Sequence, residues 1–119
     1  MIKFEELQSD DVEYIEDLIE SSNLYLQGKL SNEEIATKLN SICTIYFKYE
    51  DYDLLMFKGV WSEIDDIEQE IREGKTAAMK LGEYLKNVDG LIKMSCRKLI
   101  DRYTPLLNQL KKKFSIQKT

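Results

Sequence analysis

Apolar residues recur at three- and four-residue steps along almost the whole chain, and no stretch alternates apolar with polar positions for long. That spacing predicts helices and no strands. Val12, Ile15, Leu18, Ile19, Ser22, Tyr25 and Leu26 form the first stripe, which opens at Ser9 with Asp10, Asp11 and Glu13 in its first turn and stops at Gly28. A short hydroxyl cap and early acids suit the positive end of a helix. Ser31-Asn32-Glu33-Glu34 has the spacing of a capping box, so a second helix follows at once, with Ile35, Leu39, Ile42, Cys43 and Tyr46 on one face, fading near Tyr49. Only Gly28-Lys29-Leu30 separates the two helices, which predicts an antiparallel hairpin.

A third helix is expected from about Leu54 to Glu73, with Phe57, Val60, Trp61, Ile64, Ile67 and Ile71 as its stripe and Gly74 in the C-terminal cap position. Thr76 suits the start of the next helix, whose apolar residues include Met79, Leu81, Tyr84 and Leu85. Asp89-Gly90 reads as a break with Asp89 as a new N-cap, ahead of Leu91, Ile92, Ser95, Cys96, Leu99 and Tyr103. Thr104-Pro105 reads as a cap followed by proline in the first helical position, opening a short basic helix that frays from Ser115. The expected fold is all-α: one domain over 1–119, an antiparallel bundle of four main helices, the last broken near Asp89-Gly90 and Pro105.

Composition narrows the function. At 119 residues, 43% apolar, the chain suffices for one hydrophobic core. Histidine is absent, which removes the commonest neutral-pH acid-base group and the Ser-His and Cys-His nucleophile pairs. Cys43 and Cys96 lie in helical stretches with no CxxC spacing and are expected as buried thiols. No apolar run approaches the ~20 residues that span a bilayer, and the acidic start MIKFEELQSDD is unlike a secretory leader, so a cytoplasmic protein is expected.

Charge is divided along the chain. Residues 1–74 hold 19 acids and 6 bases, whereas residues 75–119 hold 3 acids and 11 bases, so the net −5 hides two opposed blocks. On the third helix Glu63, Asp66, Glu70 and Glu73 fall on the side opposite the apolar stripe, and on the first Asp10, Glu13, Asp17 and Glu20 repeat the spacing. Like charges stacked in this way cost a few tenths of a kcal/mol per pair, which stability alone does not ask for. They suit a positively charged partner surface. The basic end, with Lys93, Arg97, Lys98, Arg102 and Lys111 to Lys113, is expected to neutralise acids of the same bundle, with weak self-association through opposite poles a further consequence. Direct nucleic-acid binding is not expected of a net-negative domain whose aromatics sit mostly at core spacing.

Another reading treats Glu13-x-x-Glu16 and Glu63-x-x-Asp66 as the paired carboxylate motifs of all-helical, Mg²⁺-dependent nucleotide pyrophosphohydrolases. Those motifs must face inward, whereas Glu63 and Asp66 lie opposite the apolar stripe. A phage-type acidic inhibitor of a nuclease, or a helical adaptor, is also compatible with the charge pattern.

The segments Leu24-Tyr25-Leu26-Gln27-Gly28-Lys29-Leu30-Ser31-Asn32-Glu33-Glu34-Ile35 and Phe57-Lys58-Gly59-Val60-Trp61-Ser62-Glu63-Ile64-Asp65-Asp66-Ile67-Glu68 resemble the small helical immunity proteins of the colicin D type. The resemblance spans about residues 18 to 70. It implies a noncatalytic inhibitor, without metal or cofactor, whose carboxylates occupy the basic site of a toxin nuclease where RNA phosphates would lie. On that reading the partner is a cationic toxin nuclease domain, and the contact falls on Glu50, Asp51, Tyr52, Asp53, Glu63, Asp66, Glu70 and Glu73, with Tyr52 as an aromatic anchor.

Overall fold

The structure, a computed structural model, describes residues 8–45 and 51–117. Four helices follow one another, α1 (Ser9–Leu26), α2 (Asn32–Ile45), α3 (Tyr52–Arg72) and α4 (Met79–Gln117), with no strand among the described residues. They form an antiparallel four-helix bundle. α1 packs on α2 and α4, and α3 packs on α2 and α4, so α1 and α3 stand on a diagonal. The molecule measures 59 × 25 × 22 Å. Its long dimension is that of α4, whose 39 residues rise about 58 Å at 1.5 Å each.

Local chemistry explains most helix ends. Ser31 caps α2 as expected: its hydroxyl accepts from the Glu34 N–H at 3.1 Å, and the Glu34 carboxylate accepts from the Ser31 N–H at 3.0 Å. Gly28 (φ 77°) and Gly74 (φ 73°) terminate α1 and α3 in the left-handed region, where a Cβ would be strained. Lys29 N–H then closes back on the Leu24 carbonyl and Lys75 N–H on that of Glu70, both at 2.9 Å. Other boundaries move. Gln8, not Ser9, is the N-cap of α1, in a reciprocal box with Asp11. α3 begins at Tyr52 because Asp51 caps it, and α4 begins at Met79 rather than Thr76. The expected tail of α2 through Tyr46 to Tyr49 lies outside the described residues.

The larger correction is α4, which is unbroken through Asp89-Gly90 and Pro105 and continues past Ser115. One stripe of Ile92, Cys96, Leu99, Tyr103, Leu107 and Leu110 is buried along it, bridging Pro105. Partly buried Leu81, Leu85 and Val88 extend the stripe across Gly90. Burying each such aliphatic side chain contributes about 1.5–3 kcal/mol, while interior glycine costs about 1 kcal/mol and proline about 3 kcal/mol. The stripe therefore wins. Asp89 is also spent elsewhere: it and Asn32 both accept from the buried Tyr25 hydroxyl, at 2.8 and 2.6 Å, and Lys93 pairs with its other oxygen at 2.8 Å. Asn32 in turn donates to the Leu85 carbonyl at 2.8 Å, so one polar knot joins α1, α2 and α4.

Because nothing lies within 4 Å of a Cβ built at Gly90, and Pro105 is exposed, neither residue has a packing duty. Gly90→Ala is expected to stabilise the fold by about 1 kcal/mol and Pro105→Ala by about 1–3 kcal/mol in denaturant unfolding. A loss of stability in both variants would mean that α4 is not one straight helix in solution.

The core is continuous across the four helices. Ile15, Leu18 and Tyr25 of α1 meet Ile35, Leu39 and Cys43 of α2, Phe57, Val60 and Ile64 of α3, and the α4 stripe. Trp61 and Ile71 of the expected α3 stripe are less covered, Trp61 because it lies at the stripe's angular margin and Ile71 because it stands in the last turn of α3. Cys43 and Cys96 are buried and unpaired. Burial pushes the Cys96 thiol up to about 11, far from the reactive thiolate form.

Candidate acidic docking faces

The connection into α3 is built around Asp51. It is 6% exposed, and its carboxylate is used inside the protein. One oxygen accepts from the Asp53 N–H at 3.0 Å, which caps α3. The other accepts from the Arg102 guanidinium and the Tyr103 hydroxyl, each at 2.6 Å, and Arg102 also donates to Asp53 at 2.7 Å. Burial pushes the Asp51 carboxyl up, but the bonds from Arg102 and Tyr103 outweigh it and hold it below the usual aspartate range. Asp51 and Asp53 are thus clamped to α4 rather than offered to a partner. Tyr52, between them, is 82% exposed. Glu50 lies outside the described residues.

The row on α3 is divided. Glu70 pairs with Lys80 at 3.3 Å, and Glu73 pairs with Lys75 at 2.8 Å while accepting from Gln69 at 3.2 Å. Those donors hold the Glu73 carboxyl below its usual range. Glu63 and Asp66 are exposed and have no ion-pair partner among the described residues. Of the eight residues expected at the contact, Tyr52, Glu63 and Asp66 remain open to a partner.

The row on α1 is more complete. Asp10, Glu13, Asp17 and Glu20 are all exposed, and among the described residues none has a cation within ion-pair distance. Lys111 reaches α1 only at Glu16, 3.4 Å away. The four carboxylates share one side of the helix, about 15 Å long at 1.5 Å per residue. Since α1 and α3 are diagonal, a single flat surface cannot cover both rows.

The same placement separates the two carboxylate pairs of the hydrolase reading. Glu13 and Glu16 point outward on α1, Glu63 and Asp66 outward on α3, and no group of three or more Asp, Glu or Cys among the described residues is placed to hold a metal ion.

One acidic feature escaped the sequence pattern. Glu33, in the first turn of α2, hydrogen-bonds Glu68 of α3, and that bond, then burial, then the Glu68 charge raise its pKa above the usual glutamate range. A carboxyl that prefers its proton in the folded state stabilises the fold at low pH and loses that contribution as pH rises through the raised pKa. Melting temperature is therefore expected to fall as pH climbs above the ordinary glutamate range, and Glu68→Gln, whose amide donates to an ionised Glu33, is expected to flatten that decline. An unchanged slope would show that the pair does not share a proton. Only the meeting of α2 with α3 makes the pair, so no spacing along the chain announces it.

Compared with models of protein families, with curated proteins and with solved structures, the chain matches none of them.

Proposed function

We propose that this chain is a noncatalytic immunity protein, similar in kind to those of colicin D, which occludes the cationic active site of a toxin nuclease with carboxylates standing in for nucleic-acid phosphates. The observation that carries the reading is the α1 row: Asp10, Glu13, Asp17 and Glu20, exposed on a rigid helix and left without cations by a bundle that neutralises much of its other acid. Unpaired, aligned charge gives long-range attraction and fast association with a surface of opposite sign. The docking face moves from α3 to α1 because Arg102, Lys80 and Lys75 already hold four of the carboxylates first expected there. The partner is a basic nuclease domain, and the mechanism is steric and electrostatic exclusion of its substrate.

The test is protection. On this proposal a basic nuclease domain should be encoded beside this chain's gene; cells expressing it are expected to survive when the chain is co-expressed, and reversing the α1 row should abolish survival while Glu63→Lys with Asp66→Lys preserves it. The opposite result returns the site to α3. Survival that ignores both sets of reversals, or no protection by the native chain, removes the proposal.

A further inference from the structure

The flank of the α3–α4 seam leaves apolar side chains in solvent. Leu91 and Met94 of α4 are 45% and 46% exposed, and Tyr52, about two turns further along the same seam on α3, is largely exposed. Gly59, on the same side of α3, has no atom within 4 Å of where a Cβ would stand, so the surface between them is a shallow notch. Three contacts set the register of the seam: Ser95 Oγ on Met56 Sδ at 3.4 Å, Arg102 on Asp53 at 2.7 Å and Lys80 on Glu70 at 3.3 Å. Counting from them at 1.5 Å per residue brings Gly59 level with Leu91 and Ile92. At 100° per residue, Tyr52, Gly59, Glu63 and Asp66 then share the outward side of α3 next to α4, and Leu91, Met94 and Lys98 share the outward side of α4 next to α3.

Charge around this notch is arranged with opposite signs at matched distances. Glu63 and Asp66 lie about 6 and 10 Å from the Gly59 level toward the end of α3, and Lys98 lies about 9 Å from it the other way. All three are exposed, and none has an ion-pair partner among the described residues. A two-fold axis through the notch, perpendicular to the helices, sets Lys98 of each copy opposite Glu63 and Asp66 of the other and closes Leu91 and Met94 over their counterparts. Isologous interfaces need a patch complementary to itself, and this one sets Leu91 and Met94 at the centre with Glu63 and Asp66 on one side and Lys98, one turn from the exposed Asp101, on the other.

We infer that the chain forms a two-fold homodimer through the α3–α4 face, with Leu91, Met94 and Gly59 at its centre and Lys98 paired with Glu63 and Asp66 across it. This inference does not rest on the proposed function. The α1 row lies on the opposite side of the bundle, so the dimer leaves that docking face open in both copies while it covers Glu63 and Asp66 of α3.

Sedimentation velocity on the purified chain, from micromolar to near-millimolar, is expected to show a concentration-dependent monomer–dimer equilibrium. Met94→Asp, Asp66→Lys and Lys98→Glu should each weaken it by about tenfold or more while circular dichroism stays unchanged, because all three positions are exposed. Asp66→Lys combined with Lys98→Glu recreates the pair with its signs exchanged and should recover dimerisation to within about threefold of the native chain. A chain that stays monomeric throughout, a dimer indifferent to Met94→Asp, or a double variant no better than the singles overturns the inference. So does a monomer in which Leu91 and Met94 are required to hold a basic nuclease domain, which assigns the face to that partner instead.

Discussion

Alanine in place of Asp51 is expected to destabilise the fold by about 3 kcal/mol, measured as the change in unfolding free energy in urea. Three losses add up. The cap of α3 disappears, worth about 1 kcal/mol. The Tyr103 hydroxyl, on a side chain 2% exposed, loses its acceptor, and an unsatisfied buried hydroxyl costs about 1–3 kcal/mol. The Arg102 pair adds less, since that guanidinium is half exposed and solvent screens it. Asp51→Asn has a single acceptor oxygen, which keeps the Asp53 N–H cap while its amide N–H can donate to the Tyr103 hydroxyl oxygen, so it is expected to cost less than the alanine variant. The pH dependence follows from the lowered Asp51 pKa: its contribution is present at neutral pH and is lost as pH falls below the ordinary aspartate range, a loss the asparagine variant should lack. A cost under about 1 kcal/mol for the alanine variant would mean that water replaces these partners freely, and that Asp51 is a surface residue after all.

Reversing the α1 row, as Asp10→Lys, Glu13→Lys, Asp17→Lys and Glu20→Lys together, is expected to weaken association with the proposed partner, a basic nuclease domain, at least about 100-fold at low salt. These side chains are exposed and lie away from the core, so helicity should be retained. Most of the first loss should appear in the association rate, because steering depends on the summed field, and the native rate should itself fall steeply as ionic strength rises toward the point where the screening length is about 8 Å. Surface-plasmon measurements of the native and reversed chains at two salt concentrations separate this from an apolar interface. A native on-rate that does not change with salt would sink the electrostatic mechanism even if binding itself were found.

These two variants divide the acids of the chain by what surrounds them, and that division was invisible along the sequence. Asp51 and Asp10 are both acids next to a helix start. Their difference is Arg102 and Tyr103, about fifty residues away from Asp51, which turn one carboxylate inward and have no counterpart at the other among the described residues. In the same way Glu70 and Glu73 differ from Glu63 and Asp66 only in the lysines that reach them.

By itself the sequence determined the four helices, the α1–α2 hairpin and the positions of Ser31, Gly28 and Gly74, because caps, left-handed turns and stripe spacing are interactions within about four residues. It also determined that acid and base are segregated along the chain. Only the tertiary structure decided that α4 runs unbroken through Gly90 and Pro105, since the burial that overrides those residues is supplied by three other helices. Only it decided which carboxylates keep their charge exposed, because a charge is neutralised by whatever folding brings within a few ångströms, and chain order does not encode that distance.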